Sequence, residues 1–294
     1  MKTVIIDSGI SLLYKDFQDR KIECIDIGTG IHDENGHGTA CCGECLLIDE
    51  ESDLLVIKVL DESASGSLLN MVDALEYCIS RQDIGIVSIS ISCVVEDEEI
   101  ICYVQQLVDE LYNRGVLLVA TNKNGEDTGF PASLAHVMSV SYKKSRGETE
   151  YFIHIGEKGV YYGRNRLMPR LGESYNFFAG NSSAVPRAAS LLGKNIRRRG
   201  CCPAKLLREC KIQFFKPRNQ RVIKWRKFAE IMKECRKLWI TKEGCRTEED
   251  CMEFIQFLEE RGNIEVDKKV FSTADFSCYR NFYKKCFKSM VRRV

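Results

Sequence analysis

The sequence predicts an α/β protein built on a doubly wound parallel sheet with helices on both faces, followed by a small helical module. Patterns typical of strands and helices alternate over roughly the first 140 residues, as they do in such sheets. The stretch 54–60 is an almost uninterrupted aliphatic run, which indicates a central parallel strand covered on both faces. Asp7 directly follows the apolar run 4–6, and functional groups of these sheets gather at the carboxyl ends of strands.

Each element follows from its local pattern. Short apolar runs bounded by polar turns indicate strands, and apolar residues at helical spacing, such as Leu68, Val72 and Leu75, indicate helices. Strands are predicted at residues 4–6, 22–27, 54–60, 84–91, 116–120 and 137–140. Helices are predicted at residues 37–47, 67–80 and 98–112.

The composition is that of a globular protein, because 44% of the 294 residues are apolar and 29% are charged. No apolar run is long enough to span a bilayer, and the segment before Asp7 is too short for a secretory signal. Fifteen cysteines without such a signal favour free thiols in a reducing compartment. We therefore expect a cytoplasmic protein with no membrane association.

Three short stretches carry candidate chemistry: VIIDSG at 4–9, GHGT at 36–39 and GNSSAVP at 180–186. A serine hydroxyl becomes nucleophilic when an imidazole accepts its proton, and a carboxylate holds that imidazole in the required tautomer. Asp7, His37 and Ser182 occur in one of the chain orders in which such a set is assembled. Pro186 is expected in the first turn of a helix, which would put Ser182 where backbone amides favour negative charge.

These motifs are similar to those of a known family. IIDSGI resembles the aspartate motif, NGHGTACCG the histidine motif and GNSSAVP the serine motif of the subtilisin-like serine peptidases. The resemblance covers residues 1–195. It implies an endopeptidase that works through an acyl-enzyme, with Ser182 as nucleophile, His37 as general base and then acid, and Asp7 orienting His37. It also implies a peptide or protein substrate and no cofactor.

The resemblance further implies an amide side chain that stabilises the oxyanion. Counting from Gly115 along the predicted strand puts Asn124 in the family position, whereas counting back from Gly125 points to Lys123. Asn124 is the first choice and Asn122 the second. The two edges that hold an extended substrate are expected at Ser65, Gly66, Ser67, Ser90, Ile91 and Ser92.

The sequence departs from the family pattern in several places. Asn181 replaces the usual threonine and Ser183 the usual methionine, and Ser92 replaces a glycine beside the S1 pocket. The interval from His37 to Lys58 lacks the calcium-binding loop of secreted members, so neither that calcium nor another metal is expected.

Charge divides the chain into segments. Residues 1–193 carry 16 basic and 29 acidic side chains, whereas residues 194–240 carry 16 basic and 3 acidic ones. We therefore predict a catalytic domain over 1–195, a basic connecting segment over 196–240 and a small helical module over 241–294. Residues 250–267 weakly resemble part of an acyl carrier, but Glu248 aligns with the phosphopantetheine serine, so no attachment is expected. A plain helical extension explains the same pattern.

Other interpretations remain beside these. An inactive pseudopeptidase that binds peptides or regulates is the alternative function. The basic segment is assigned to docking on the acidic domain or on an acidic peptide, and a solvated helical face with an apolar underside explains it equally well. Nucleic acid ranks lower and is an unlikely partner. The absence of a signal and a propeptide favours a specialised role, such as leader removal from a small precursor peptide recruited by the terminal module.

Two further groups of residues, three cysteines and three histidines, are not assigned to metal binding or redox chemistry. Cys41, Cys42 and Cys45 include C-x-x-C spacing, yet they are expected to be buried thiols that pack like small apolar residues. His32, His136 and His154 match no motif, and we expect them on the surface or in loops.

Overall fold

The structure, a computed structural model, describes residues 1–122, 129–145, 150–171, 175–200 and 211–215 of the chain. The chain divides into two compact units, one made of residues 1–163, 169–173 and 179–216 and the other of residues 164–168, 174–178 and 217–294. Within the second unit, the described residues form most of a two-stranded sheet of β9 (Arg166–Pro169) and β10 (Tyr175–Phe178). The predicted module at 241–294 lies outside the described residues.

The described residues of the first unit form the main sheet and four α-helices. Its strands are β1 (Lys2–Asp7), β2 (Ile22–Ile25), β3 (Asp53–Lys58), β4 (Ile84–Ile89), β5 (Leu117–Thr121), β6 (Val137–Lys144), β7 (Glu150–Ile155), β8 (Lys158–Gly163) and β11 (Lys211–Phe215). Its helices are α1 (His37–Ile48), α2 (Leu68–Ser80), α3 (Glu98–Asn113) and α4 (Asn181–Arg199).

The nine strands lie in the order β11-β7-β8-β6-β5-β4-β1-β3-β2. Strands β1 to β6 and β8 run parallel to one another. Strand β7 is antiparallel to β8, and β11 is antiparallel to β7. The predicted α/β class with a mostly parallel sheet is confirmed. Because β1, β4 and β5 are parallel, their carboxyl ends meet at one edge of the sheet.

Helices cover both faces of this sheet. Side chains of α2 and α3, such as Leu75 and Val108, pack with Val4 and Ile57 on one face. Side chains of α4, such as Val185 and Leu192, pack on the other face with Val119 and Met138. Each face buries a separate apolar cluster, which is why the central strands are aliphatic on both sides.

Capping residues set the starts of α2 and α3. The Ser67 hydroxyl accepts a hydrogen bond from the Leu69 amide at 3.1 Å. The Asp97 carboxylate accepts one from the Glu99 amide at 2.9 Å and one from the Ile100 amide at 3.2 Å. These contacts satisfy amides that have no partner inside the helix.

The structure differs from the predicted boundaries around α4. Helix α4 begins at Asn181, so Pro186 is its sixth residue, and the expectation that it lies in the first turn is wrong. The same helix runs to Arg199, and residues 211–215 join the main sheet, both beyond residue 195. The three-segment division of the chain stays a prediction.

Candidate active site

Two strand ends and two helix starts meet at one edge of the sheet. Asp7 is the last residue of β1, and Ser90 immediately follows β4. His37 is the first residue of α1, and Ser182 is the second residue of α4. The structure therefore brings together residues that are as far as 175 positions apart in the sequence.

Asp7 and His37 form a close pair. The Asp7 side chain is fully buried, and His37 Nδ1 lies 2.8 Å from its Oδ1 and 3.0 Å from its Oδ2. The Ser8 amide donates a further hydrogen bond to Asp7 Oδ1 at 2.8 Å. The His37 side chain is 21% exposed, so the ring lies between the buried carboxylate and the protein surface.

The pair holds Asp7 ionised. Burial alone would raise the pKa of the Asp7 carboxyl. The charge of His37 and hydrogen bonds from His37, the Ser8 amide and the Cys41 thiol outweigh burial, and the pKa lies below its ordinary value of 3.8. A carboxylate that stays charged when buried can orient the imidazole and stabilise its protonated form.

The pKa of His37 is raised above its ordinary value of 6.5. Burial and the positive charge of Arg170 lower it, whereas the Asp7 carboxylate, through its charge and hydrogen bond, and the more distant Asp33 raise it. The raising effects prevail. The imidazole therefore binds a proton more readily than a histidine in water, as a general base requires.

Close contact between two glycines makes this pair possible. A Cβ on Gly38 would lie only 2.3 Å from the Gly9 carbonyl oxygen, and one on Gly9 would lie 2.6 Å from the Ile31 carbonyl oxygen. Gly9 also has a φ of +96°, which favours glycine. The glycines of the first two motifs thus let the first turn of α1 approach the end of β1.

Asp33 is a structural residue that the sequence analysis missed. Its Oδ1 accepts hydrogen bonds from the Ser8 hydroxyl at 2.9 Å and the Gly36 amide at 2.6 Å, and its Oδ2 accepts one from the Thr39 amide at 2.8 Å. Asp33 therefore connects the end of β1 to the first turn of α1 on either side of His37. Asp33 lies four positions before His37, farther than a helix cap, so no local capping pattern identifies it.

Ser182 is held through its backbone carbonyl. An α-helical amide four residues later would normally bond this oxygen, but that residue is Pro186, which has no N–H. The Ser182 oxygen instead accepts a hydrogen bond from the Ser90 hydroxyl at 3.1 Å and lies 3.8 Å from the Cys41 sulfur. The Ser182 hydroxyl itself lies 3.5 Å from the Ser90 carbonyl oxygen.

Cys41 lies between the Asp7–His37 pair and Ser182. Its sulfur is 3.6 Å from Asp7 Oδ2 and 3.8 Å from His37 Nδ1, in addition to its contact with Ser182. Asp7, His37 and Cys41 together present atoms close enough to hold a metal ion. Burial and the nearby Asp7 charge raise the pKa of the Cys41 thiol well above 9, which keeps it protonated and a poor ligand. The set therefore suits proton transfer better than metal binding.

The thiols of the C-x-x-C stretch are predicted to be free and buried. Cys41, Cys42 and Cys45 are free and buried. Burial raises the pKa of Cys45 and that of Cys78 to about 12. The expected burial of Cys41, Cys42 and Cys45 as free thiols is confirmed, and Cys41 in addition contacts Asp7, His37 and Ser182.

The first-choice oxyanion residue, Asn124, lies outside the described residues. Asn122, the second choice, follows β5 and is buried. Its Nδ2 donates to the Ser141 hydroxyl at 3.1 Å, and its backbone oxygen accepts from Asn181 Nδ2 at 3.1 Å. Asn181 Oδ1 also accepts from the Tyr142 amide at 2.8 Å. Asn181 therefore ties the start of α4 to the ends of β5 and β6, directly before the segment that contains Asn124.

The predicted substrate-binding residues fall in two places. Ser90 lies against Ser182, and Ile91 and Ser92 continue the chain from that point. The remaining residues, Ser65, Gly66 and Ser67, lie in the exposed turn that leads into α2.

The hydroxyl groups of these serines differ in environment. The Ser92 hydroxyl is buried and finds no hydrogen-bond partner among the described residues. The Ser67 hydroxyl caps α2, so its side chain has a local structural role.

The three histidines outside the motifs differ from one another. His136 stacks on the Tyr112 ring with centroids 4.1 Å apart and lies in a loop, as predicted. His32 also lies in a loop. His154 is fully buried within β7, so its expected surface position is wrong. Burial alternates along that strand, but two of its three buried side chains are polar, Glu150 and His154, so the sequence shows no alternating apolar pattern there.

Comparison with known proteins identifies the class. The sequence model of the subtilase family matches residues 4–200, which is more than half of the chain. The chain therefore belongs to the subtilase family.

One curated relative is the minor extracellular protease Epr of Bacillus subtilis (strain 168), which is 27% identical over 209 residues. The match covers 65% of this chain but only 31% of that protein, so the chain spans less than a third of the relative's length.

Two solved structures share the fold. One is a lanthipeptide protease, with 18% identity, a TM-score of 0.54, and coverage of 70% of this chain and 78% of the other. The second is the prenylagaramide maturation protease PagA, with 19% identity, a TM-score of 0.55, and coverage of 67% and 77%. In the part of the chain that the structure describes, no helix is both long and apolar enough to cross a membrane.

Proposed function

We propose that this protein is a serine endopeptidase that cleaves peptide bonds through an acyl-enzyme. The Asp7–His37 contact beside Ser182 is the observation that carries the proposal. In it, Ser182 attacks the scissile carbonyl while His37 accepts the hydroxyl proton. Asp7 holds His37 and stabilises the imidazolium, and His37 then returns the proton to the leaving amine. Water hydrolyses the acyl-enzyme by the same steps.

The oxyanion of each tetrahedral intermediate needs hydrogen-bond donors. The Ser182 amide lies in the first turn of α4, where amides have no partner from the preceding turn. We assign it as one donor and Asn124 as the second. Asn181, which links α4 to the end of β5, supports this assignment because it restrains the chain two residues before Asn124.

The alternative is a pseudopeptidase that binds peptides without cleaving them. Hydrolysis of a peptide library by the full-length protein separates the two functions, with Ser182→Ala as the inactive variant. Ser183→Ala is the matched control, because Ser183 is buried and its hydroxyl donates to the Gly180 carbonyl at 2.8 Å. We expect cleavage by the parent and by Ser183→Ala and none by Ser182→Ala. Equal behaviour of the parent and Ser182→Ala would refute the proposal.

A finer proposal concerns the substrate. Two proteins with this fold are a lanthipeptide protease and a maturation protease by name. Together with the extra residues after α4, these names support a role in which the protein removes a leader from a small precursor peptide. We assign recruitment of that peptide to the predicted module at 241–294.

This role can be tested with the intact enzyme. A precursor peptide with its full leader and a short peptide with the same residues around the cleavage site are compared by kcat/KM. We expect the full leader to raise kcat/KM at least tenfold through a lower KM. Equal values would contradict recruitment while leaving the peptidase assignment intact.

We also propose a cytoplasmic location. The described part of the chain has seven free cysteines, among them the partly or fully exposed Cys24, Cys93 and Cys102. Free accessible thiols are typical of reducing compartments. Fractionation of the native host, with detection of this chain in the soluble cell contents or in the medium, tests this location.

A further inference from the structure

The helices that carry His37 and Ser182 lie side by side and run in the same direction. Successive contacts between the two helices lie progressively closer to the carboxyl end of both. In order, they are Cys41–Ser182, Glu44–Arg187, Cys45–Ser190 and Asp49–Arg197. His37 and Ser182 are therefore at corresponding ends of the pair. A shift of one helix along the other by one residue would change their offset by about 1.5 Å.

A buried ion pair lies at the centre of this interface. Glu44 and Arg187 are both fully buried, and Arg187 Nε donates to Glu44 Oε2 at 2.8 Å while Nη2 donates to Oε1. The contact is bidentate, which fixes both the distance and the orientation of the two groups. Arg187 Nη1 also lies 3.7 Å from Glu150 Oε2, which accepts a hydrogen bond from the Tyr161 hydroxyl at 3.0 Å.

The position of this pair relates it to the active site. Glu44 follows His37 by seven residues, or about two helical turns, and Arg187 follows Ser182 by five. Burial lowers the pKa of Arg187, but the charges of Glu44 and Glu150 outweigh it, and the net effect raises the pKa. Arg187 is therefore charged whenever the protein is folded.

A buried ion pair is a poor source of stability, because removing two charges from water costs about as much as their attraction returns. Its best-established role is to specify one register between packed elements. Apolar side chains at these positions would fill the same space but would lack the directional contacts that favour one register.

We propose that the Glu44–Arg187 pair positions the two helices and thereby sets the offset between His37 and Ser182. Neither residue contacts the reacting atoms, so both are positioning residues. This inference rests on the proposed peptidase function. A misplacement of about 1 Å between reacting groups can cost on the order of 10² in rate. Loss of the Glu44–Arg187 pair should therefore slow the reaction of Ser182 without changing the Asp7–His37 contact.

The test replaces all three charges at once. Glu44→Met, Arg187→Met and Glu150→Gln are combined, because removing one partner alone would leave an unpaired buried charge and strongly destabilise the protein. The control variant combines Asp49→Asn with Arg197→Gln and breaks the ion pair at the far end of the same helices, where the Arg197 side chain is 25% exposed.

Two readouts follow for each full-length variant. The first is the second-order rate at which an alkyl fluorophosphonate labels Ser182, measured against pH, alongside the thermal midpoint. For the triple variant we expect a midpoint within about 5 °C of the parent, labelling at least tenfold slower, and an unchanged pKa of the acid limb. The control should label at the parental rate. A folded triple variant that labels at the parental rate would overturn the proposal.

The second readout does not depend on activity. A crystal structure of the triple variant should show the Cys41 sulfur and the Ser182 carbonyl oxygen more than 1 Å farther apart than the 3.8 Å of the parent. An unchanged distance would also overturn the positioning role. If the parent itself is not labelled, the proposed peptidase function fails, and the crystal structure alone decides whether the pair sets the register.

Discussion

Ser90 and Ser182 hold each other through reciprocal contacts between side chain and backbone. The Ser90 hydroxyl donates to the Ser182 carbonyl at 3.1 Å, and the Ser182 hydroxyl lies 3.5 Å from the Ser90 carbonyl oxygen. The first contact is available because Pro186 has no amide to offer to the Ser182 carbonyl. Because Pro186 leaves this carbonyl available, Ser90 can link the candidate nucleophile to the end of β4.

Loss of this link should impair Ser182 more than it impairs the fold. Ser90→Ala removes the hydrogen bond to the Ser182 carbonyl, worth about 0.5–1.5 kcal/mol, together with the interaction between the Ser90 hydroxyl and the Cys41 thiol. The Ser182 carbonyl keeps only the weaker Cys41 contact. We expect a three- to tenfold lower rate of fluorophosphonate labelling. Ser88→Ala, in β4 two residues before Ser90, is the matched control, because the buried Ser88 hydroxyl has no hydrogen-bond partner among the described residues. Equal labelling rates in the two variants would contradict a role for the Ser90 hydroxyl.

The approach of α1 to β1 predicts a severe effect of one methyl group. In Gly38→Ala the new Cβ would lie 2.3 Å from the Gly9 carbonyl oxygen, so backbone must move and separate His37 from Asp7. We expect loss of activity and a lower thermal midpoint. Gly193→Ala, in α4, is the control. Its Cβ would lie 3.4 Å from the nearest side-chain atom, and alanine favours a helix by about 0.4–1 kcal/mol. A fully active Gly38→Ala would show that this contact does not position the pair.

Because of the charge on Arg170, we expect its removal to shift the pH profile of kcat/KM. Its positive charge opposes protonation of His37, so removing it stabilises the imidazolium and raises the pKa of His37. Because the base must be neutral, the acid limb of kcat/KM for Arg170→Gln should move to higher pH. Lys21→Gln, whose side chain is 84% exposed, should leave the limb unchanged. An acid limb that moves to lower pH in Arg170→Gln would contradict the electrostatic account of His37.

The oxyanion assignment can be decided by two substitutions. Asn124→Ala should reduce kcat by about 10²–10³ with little change in KM, the loss known for such a donor in a subtilisin itself. Asn122→Ala should reduce it less, because its Nδ2 already donates to Ser141 and not to the site. Steady-state kinetics on a peptide substrate give both numbers. The reverse order would assign the role to Asn122.

Much of the fold is predictable because its central strands are buried on both faces. The aliphatic runs at 54–60 and 84–91 are long enough to mark β3 and β4 without further information. The strands β7 and β8 form an antiparallel pair near the sheet edge with alternating burial, so their signal is weaker. The pairing of β11 with β7 joins segments about 60 residues apart, which no local pattern shows.

The candidate site was predictable to the extent that it resides in motifs. Asp7 and His37 are in contact, and Ser182 lies beside the Cys41 thiol that touches both. The contacts that hold these residues were not predictable. Glu44 and Arg187 are 143 positions apart, and each reads locally as a charged residue on a helix. Only the packing of α1 against α4 shows that both are buried.

The central claim is that Ser182 is the nucleophile activated by His37 and Asp7. Treatment of the folded full-length protein with an alkyl fluorophosphonate, followed by proteolysis and mass mapping, tests it most directly. We predict one adduct on Ser182 that disappears in His37→Ala and after denaturation. An adduct on Ser183, or no adduct on the folded protein, would contradict the claim.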